Sequence, residues 1–187
     1  MTTLMLITTN DGKLKEFNSA IADTGVILKR MNMTYPEIQA NTLEEVVSFG
    51  MQWLDKKIHE PYVIDDSGLF ISVLNGFPGV YSAYAYRTLG NAGMLKLMES
   101  ASDRSAIFKT VIGLSMSKHH FVLVGECSGS ITHSVKGTKG FGFDPIFVPS
   151  NSFKTFSEMD IGEKNATSHR GAALEKLKKV LASSTSF

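Results

Sequence analysis

Two adjacent carboxylates, Asp65 and Asp66, stand at the end of the apolar, strand-like run Tyr62-Val63-Ile64 and directly ahead of Ser67-Gly68-Leu69. Side-by-side aspartates repel each other, and an apolar neighbourhood favours neither ionised group unless a cation sits between or beside them. A hard cation held by carboxylate oxygens, Mg²⁺ above all, fits that demand. The same residues also spell an Asp-Asp-Ser-Gly turn whose side chains cap backbone N–H groups, with Gly68 as the turning residue. Both readings are open at this point.

Four further segments could supply the rest of a site. Thr8-Thr9-Asn10-Asp11-Gly12-Lys13 follows a short apolar run and precedes Leu14, Phe17 and Ile21 at helical spacing, so it occupies a strand-to-helix turn. The start of a helix offers unpaired N–H groups and the positive end of a dipole, which suit a phosphate. Asn10 is a suitable cap and Lys13 adds a full charge, although a simple capped helix would look the same. Glu37 follows Pro36 on a stiffened loop and is either a second metal ligand or plain surface charge. The loop Lys136 to Asp144 presents Phe141, Gly142, Phe143 and Asp144, two rings for a flat partner and one acceptor, or two core rings. Finally, Ser168 caps the last helix and puts His169 and Arg170 in its first turn, where cations oppose the dipole at about 0.3–1 kcal/mol. An anion or a base carbonyl at that point would explain why they are tolerated.

The elements that must position these groups alternate. Strands are predicted at residues 4–7, 26–28, 62–64, 69–73, 107–116 and 121–131, and helices after Gly12, after the Thr42/Glu45 capping pair, around Met94–Met98 and from Ser168 onward. Ser117-Lys118-His119-His120 reads as a solvated hairpin turn. The pattern is α/β with a mixed sheet, and no Pro- or Ser-rich linker divides it, so residues 1–187 are expected to form a single two-lobed domain. Nineteen basic against 18 acidic residues argue against a non-specific nucleic-acid or membrane-surface binder. The single cysteine, Cys127, cannot form an intramolecular disulfide, and no apolar run is long enough to span a bilayer, so a cytoplasmic setting is expected.

In this order, Thr-x-Asn-x-x-Lys, Asp-Asp-Ser-Gly-Leu with Gly-x-Pro-Gly-x-Tyr-Ser-Ala, Gly-Phe-Gly-Phe-Asp-Pro and Ser-His-Arg resemble the inosine triphosphate pyrophosphatase family from Thr8 to Arg170. The resemblance implies an elongated mixed β-sheet flanked by helices, two lobes around a central cleft, and a homodimer. It also implies Mg²⁺-dependent cleavage of ITP, dITP or XTP to the monophosphate and pyrophosphate, clearing deaminated purines from the nucleotide pool. By position, Thr8 to Lys13 resemble the triphosphate-binding turn, Glu37 and Asp66 the metal ligands, and Asp66 also the proton acceptor, with Asp65 in support. Ser67, Phe141, Gly142, Phe143, Asp144, Lys164, His169 and Arg170 match substrate contacts. Three positions depart from the family: Thr9 for a common Gly, Phe49 for a helix Lys, and Tyr84 for a basic residue. The rival expectations are a purine-nucleotide-binding regulatory module without catalysis, and a related pyrophosphatase of pyrimidine or modified nucleotides.

Overall fold

A computed structural model of the chain describes residues 3–116 and 119–184. Its elements run β1 (Thr3–Ile7), α1 (Asp11–Ile21), β2 (Ile27–Met31), α2 (Leu43–Leu54), β3 (Tyr62–Ile71), β4 (Pro78–Gly79), α3 (Ser82–Leu97), β5 (Ser105–Met116), β6 (His119–Ile131), β7 (Phe147–Pro149), α4 (Ile161–Thr167) and α5 (His169–Ser184). One sheet takes the order β2-β1-β3-β5-β6-β7, with β4 on the side of β3. β1 lies parallel to β2 and β3, and the other ladders are antiparallel, so the sheet is mixed as expected.

Strand alternation divides the core. On one face, Val63, Ile112 and Leu114 meet Phe17 and Ile21 of α1 and Ala173, Leu174 and Leu177 of α5. On the other, Tyr62, Ile64 and Val111 meet Leu43, Val47, Met51 and Leu54 of α2. The far halves of β3 and β5 carry Leu69, Ile71, Ala106 and Phe108 into a third cluster with Met94, Phe143, Ile146, Phe147 and Phe156. The first two clusters make one lobe and the third makes the other, and β3 and β5 run through both. Asn10 caps α1, accepting from the amides of Gly12 (2.8 Å) and Lys13 (3.1 Å), and Thr42 with Glu45 closes a reciprocal capping box on α2.

Three expectations change. Residues 62–64 and 69–73 are not two strands: β3 is continuous from Tyr62 to Ile71, paired residue by residue with β5, and Asp65, Asp66 and Gly68 lie inside it. Gly68 therefore makes no turn; a Cβ there would strike the Gly79 carbonyl of the neighbouring β4, so its value is close approach. The predicted hairpin is present, but His119 and His120 already belong to β6, opposite Met116 and Ser115, while Ser117 and Lys118 lie outside the described residues. The third helix begins at Ser82 rather than near Met94, and it breaks at Gly90, whose φ is +62°.

Candidate active site

A cleft of about 640 Å³ opens between the lobes, lined by the β1–α1 turn, the 33–37 loop, the middle of β3, the start of α3, the 141–144 loop and the start of α5. Thr8, Thr9, Asn10, Lys13, Glu37, Asp65, Asp66, Ser67, Phe141, Gly142, Phe143, Asp144, His169 and Arg170 all contribute to its wall. Lys164 stands directly behind it, bonded to Asp144. Asp11 and Gly12 are not part of the lining, although Gly12 borders it: a Cβ on Gly12 would collide with the Phe141 ring, so its absence lets the loop close against the turn. Asp11 is exposed and paired with Arg30.

Because β3 is extended through Asp65 and Asp66, their side chains leave on opposite faces of the strand. Asp65 points to the α1/α5 face, where Lys13 pairs with it at 3.0 Å and also donates to its carbonyl at 2.9 Å, and Arg170 Nε donates to it at 3.1 Å. Burial alone would raise the Asp65 carboxyl, but the Lys13 and Arg170 charges outweigh it and hold the pKa below the ordinary value. Glu16 extends the network, bonding Lys164 at 2.6 Å and Arg170 through its other oxygen, and Lys164 reaches Asp144 at 2.6 Å. Glu16 too is lowered against the pull of burial, by Arg170 and then Lys164. Asp144 is raised, because burial dominates over Lys164. Its carboxylate also accepts the Phe141 amide at 2.8 Å, which ties the aromatic loop to the ion pairs. Three cations thus meet three carboxylates, and the six charges cancel within the wall.

Asp66 has no such partner. It accepts the Ser67 amide at 2.8 Å and forms no ion pair among the described residues. Its pKa rises to about 6, chiefly through burial and further through Glu37 and Asp65, with Lys13 opposing. Beside it the Tyr35 phenol is pushed well up by burial and by the charges of Asp65, Asp66 and Glu37. Negative charge has accumulated here without an internal counter-charge. Among the described residues no three His, Cys, Asp or Glu side chains form a closed metal cage. Mg²⁺ does not need one: it commonly takes one or two carboxylates and completes its shell with water and substrate phosphates. The unpaired Asp66 and the exposed Glu37 therefore fit that ion.

At the start of α5, His169 is fully buried and stacked on Phe108, with centroids 4.5 Å apart and planes at 8°. Burial, then Arg170 and Lys164, drives its pKa well down, so the ring is neutral and Arg170 is left as the cation in the first turn of α5. Its Nδ1 has no partner among the described residues. Arg170 uses Nε on Asp65, one terminal nitrogen on Glu16 and the other on Ser67 Oγ at 2.9 Å. Ser67 Oγ in turn shares a 2.6 Å hydrogen bond with Thr110 across the β3–β5 ladder. The helix start reaches this depth because β6 has Gly125 beneath it, where a Cβ would collide with the His169 carbonyl and the Ala173 amide.

Residues 4–180 match the Ham1 family. The chain belongs to that family. A dITP/XTP pyrophosphatase from Pyrococcus horikoshii is 52% identical over 172 residues, covering 92% of each chain. One from Thermococcus kodakarensis is 46% identical over 173 residues, 92% of this chain and 94% of its own. Among solved structures, a HAM1 protein from Coxiella burnetii shares the fold with a TM-score of 0.82 at 34% identity, over 98% of this chain and all of the other.

Within this member of the Ham1 family, Thr9 stays on the cleft wall, whereas Phe49 and Tyr84 lie off it, Tyr84 being 62% exposed. Sequence reasoning missed Glu16, Tyr35, Arg30 and Thr110. Arg30 holds the β1–α1 turn by donating to the carbonyls of Thr8 (3.0 Å) and Thr9 (2.8 Å). Glu16 carried one usable signal: an acid next to Phe17 on the inward face of α1, three residues after Lys13.

Proposed function

We propose that this chain hydrolyses deaminated purine nucleoside triphosphates, ITP, dITP and XTP, to the monophosphate and pyrophosphate with Mg²⁺ as cofactor. The observation that carries the proposal is the charge imbalance of the cleft: a neutral, interlocked set of ion pairs beside the unpaired Asp66 and Glu37. The names of the similar archaeal proteins support the same reading. Asp66 and Glu37 would hold the Mg²⁺, which supplies Lewis-acid stabilisation of phosphate charge and helps to ionise water.

The chain's own groups have separate tasks in this proposal. Asp66 orients a water and takes its proton as the water oxygen bonds to the α-phosphorus. The bond from that phosphorus to the bridging oxygen breaks, and pyrophosphate leaves with the electron pair. General-base help of this kind is worth roughly 10²–10⁴-fold. Asp65 keeps Lys13 in place beside the β1–α1 turn. In that turn Asn10 already occupies the Gly12 and Lys13 amides, so phosphate contacts fall to the Lys13 charge and the hydroxyl-bearing Thr8 and Thr9.

Base choice falls to the opposite wall. Phe141 covers the base, and the neutral His169 with the remaining N–H groups of Arg170 and loop amides meets the 6-carbonyl of hypoxanthine or xanthine. Adenine carries an amino group there and would leave those donors unpaired, which can discriminate by about 10⁴–10⁵. The decisive assay is pyrophosphate release from a panel of nucleoside triphosphates with and without Mg²⁺. ITP and XTP are expected far above ATP, with no turnover lacking the metal. Equal kcat/KM for ITP and ATP refutes the assignment, pyrimidine preference substitutes the related pyrophosphatase, and binding without cleavage substitutes the regulatory module.

The proposal extends to one two-lobed domain, a homodimer and a cytoplasmic location. Among the described residues no helix is long and apolar enough to cross a membrane. Light scattering reads the assembly state directly.

A further inference from the structure

Three cations line the cleft: Lys13, Arg87 and Arg170. Two of them are engaged, Lys13 on Asp65 and Arg170 on Asp65 and Glu16, and Lys164 behind them is held by Glu16 and Asp144. Arg87 differs. Among the described residues it has no carboxylate in ion-pairing reach and makes no hydrogen bond, and its side chain is exposed at the cleft rim.

The segment that carries it is fixed on three sides. Ser82, at the start of α3, accepts the Leu69 amide at 2.8 Å and donates to the Gly79 carbonyl at 2.7 Å, which ties the helix to β3 two residues beyond Ser67. Tyr86 meets Phe143 edge-to-face at 5.5 Å. Beyond the break at Gly90, Asn91 donates to the Gly142 carbonyl at 3.2 Å. Ala83, Tyr86 and Arg87 then fall on one face of the first helical turns and line the cleft together. An unpaired guanidinium on an anchored turn facing a cleft is a poor contributor to stability and a good anion contact, since its planar fork suits phosphate oxygens.

We infer that Arg87 is a substrate-binding residue that contacts the terminal phosphates of the triphosphate and the pyrophosphate product. This rests on the nucleoside triphosphate reading above. Most of the triphosphate's charge lies on the part that leaves, and the deep cations already answer to protein carboxylates. The residue was not singled out by its spacing in the sequence; it stands four positions after Ala83, on the same helical face, and lines the cleft that Tyr84 misses.

The test is equilibrium binding, which does not depend on turnover. Calorimetric titration of pyrophosphate with Mg²⁺, and separately of XMP with Mg²⁺, is compared for the parent protein, Arg87→Ala and Arg87→Lys. A charged hydrogen-bond contact predicts that Arg87→Ala weakens pyrophosphate binding by about ten- to a hundred-fold and leaves XMP within about two-fold. Arg87→Lys should recover part of the loss. Arg87 is exposed, so melting temperatures should coincide and exclude a folding effect. Unchanged pyrophosphate affinity in Arg87→Ala overturns the inference, as does a loss confined to XMP. If the parent protein binds pyrophosphate through Arg87 but cleaves no purine triphosphate, the contact stands and the proposed reaction falls.

Discussion

Replacing Asp66 by asparagine removes one negative charge and keeps both the side-chain shape and an oxygen to accept the Ser67 amide. Two opposite consequences follow. Turnover should fall by at least about 10²-fold, the lower bound for loss of a positioned general base. Stability of the metal-free protein should rise. The rise of Asp66 from 3.8 to about 6 means that the folded state binds its proton more tightly than the unfolded chain does, equivalent to about 3 kcal/mol of destabilisation at neutral pH as a ceiling. For a chain of this size, each kcal/mol moves the melting temperature by about 2–4 °C, so Asp66→Asn should melt higher without Mg²⁺ by at most about 6–12 °C.

The sign also fixes the pH dependence. A group with a raised folded pKa destabilises fully above that value and not at all below its unfolded value. The parent protein therefore loses stability through Asp66 as pH climbs from about 4 through about 6, and the gap to the variant should close below about pH 4. Mg²⁺ should narrow the gap from the other side, stabilising the parent and leaving the variant nearly unmoved. Differential scanning calorimetry across pH 4–8 with and without Mg²⁺, alongside pyrophosphate release from XTP, reads all of this. A variant no more stable than the parent at pH 7 in chelator refutes the picture of a buried carboxylate without a counter-charge. Wild-type turnover removes Asp66 from the chemistry.

Glu16→Gln strips Lys164 and Arg170 of a shared anion and should cost about 3–5 kcal/mol in urea unfolding, because two buried cations lose their partner. Since Glu16 is lowered from 4.5, the stability it adds is present above that pH and disappears as pH falls through its folded value, so the variant should show a shallower acid transition. Gly125→Ala drives a methyl group into the His169 carbonyl and should reduce kcat/KM for XTP by about 10²-fold through misplacement of the α5 start, while Mg²⁺ binding at Asp66 persists.

The segments of the site were legible in the sequence because each has a local signature: an apolar run ending in acids, a capped turn with a lysine, a loop of alternating glycine and phenylalanine, a serine-capped helix. Their geometry was less so. Gly68 reads as a turn residue by type, yet it continues β3, because strand pairing with β5 on one side and the close approach of Gly79 on the other decide the matter. The consequence is not small: a turn would set Asp65 and Asp66 side by side, whereas a strand pairs Asp65 with a cluster of cations in the cleft wall and leaves Asp66 unpaired in the same cleft. Arg170 is a cation at a helix start as read, whereas His169 is neutral there, and an anion or a base carbonyl was the expected reason. The anions turn out to be the chain's own Glu16 and Asp65, which are 154 and 105 residues away in sequence and leave no local trace.

Three buried carboxylates and three buried cations are a weak source of stability, since desolvation offsets most of their attraction. Their arrangement is better explained by what it fixes. Each charge on α1, β3, the 141–144 loop, α4 and α5 has partners on other elements, so moving one wall of the cleft breaks ion pairs in the next. A cleft built this way is rigid and electrically closed on one side. Beyond Lys13, the one network member that faces the phosphates, it can respond to a polyanion through few groups: a cation held by Asp66 and Glu37, the turn hydroxyls, and Arg87 at the rim. Substrate affinity should then depend on the metal, the β1–α1 turn and Arg87, and base selectivity on the opposite wall of Phe141, His169 and Arg170, which is why the two can be changed by different substitutions.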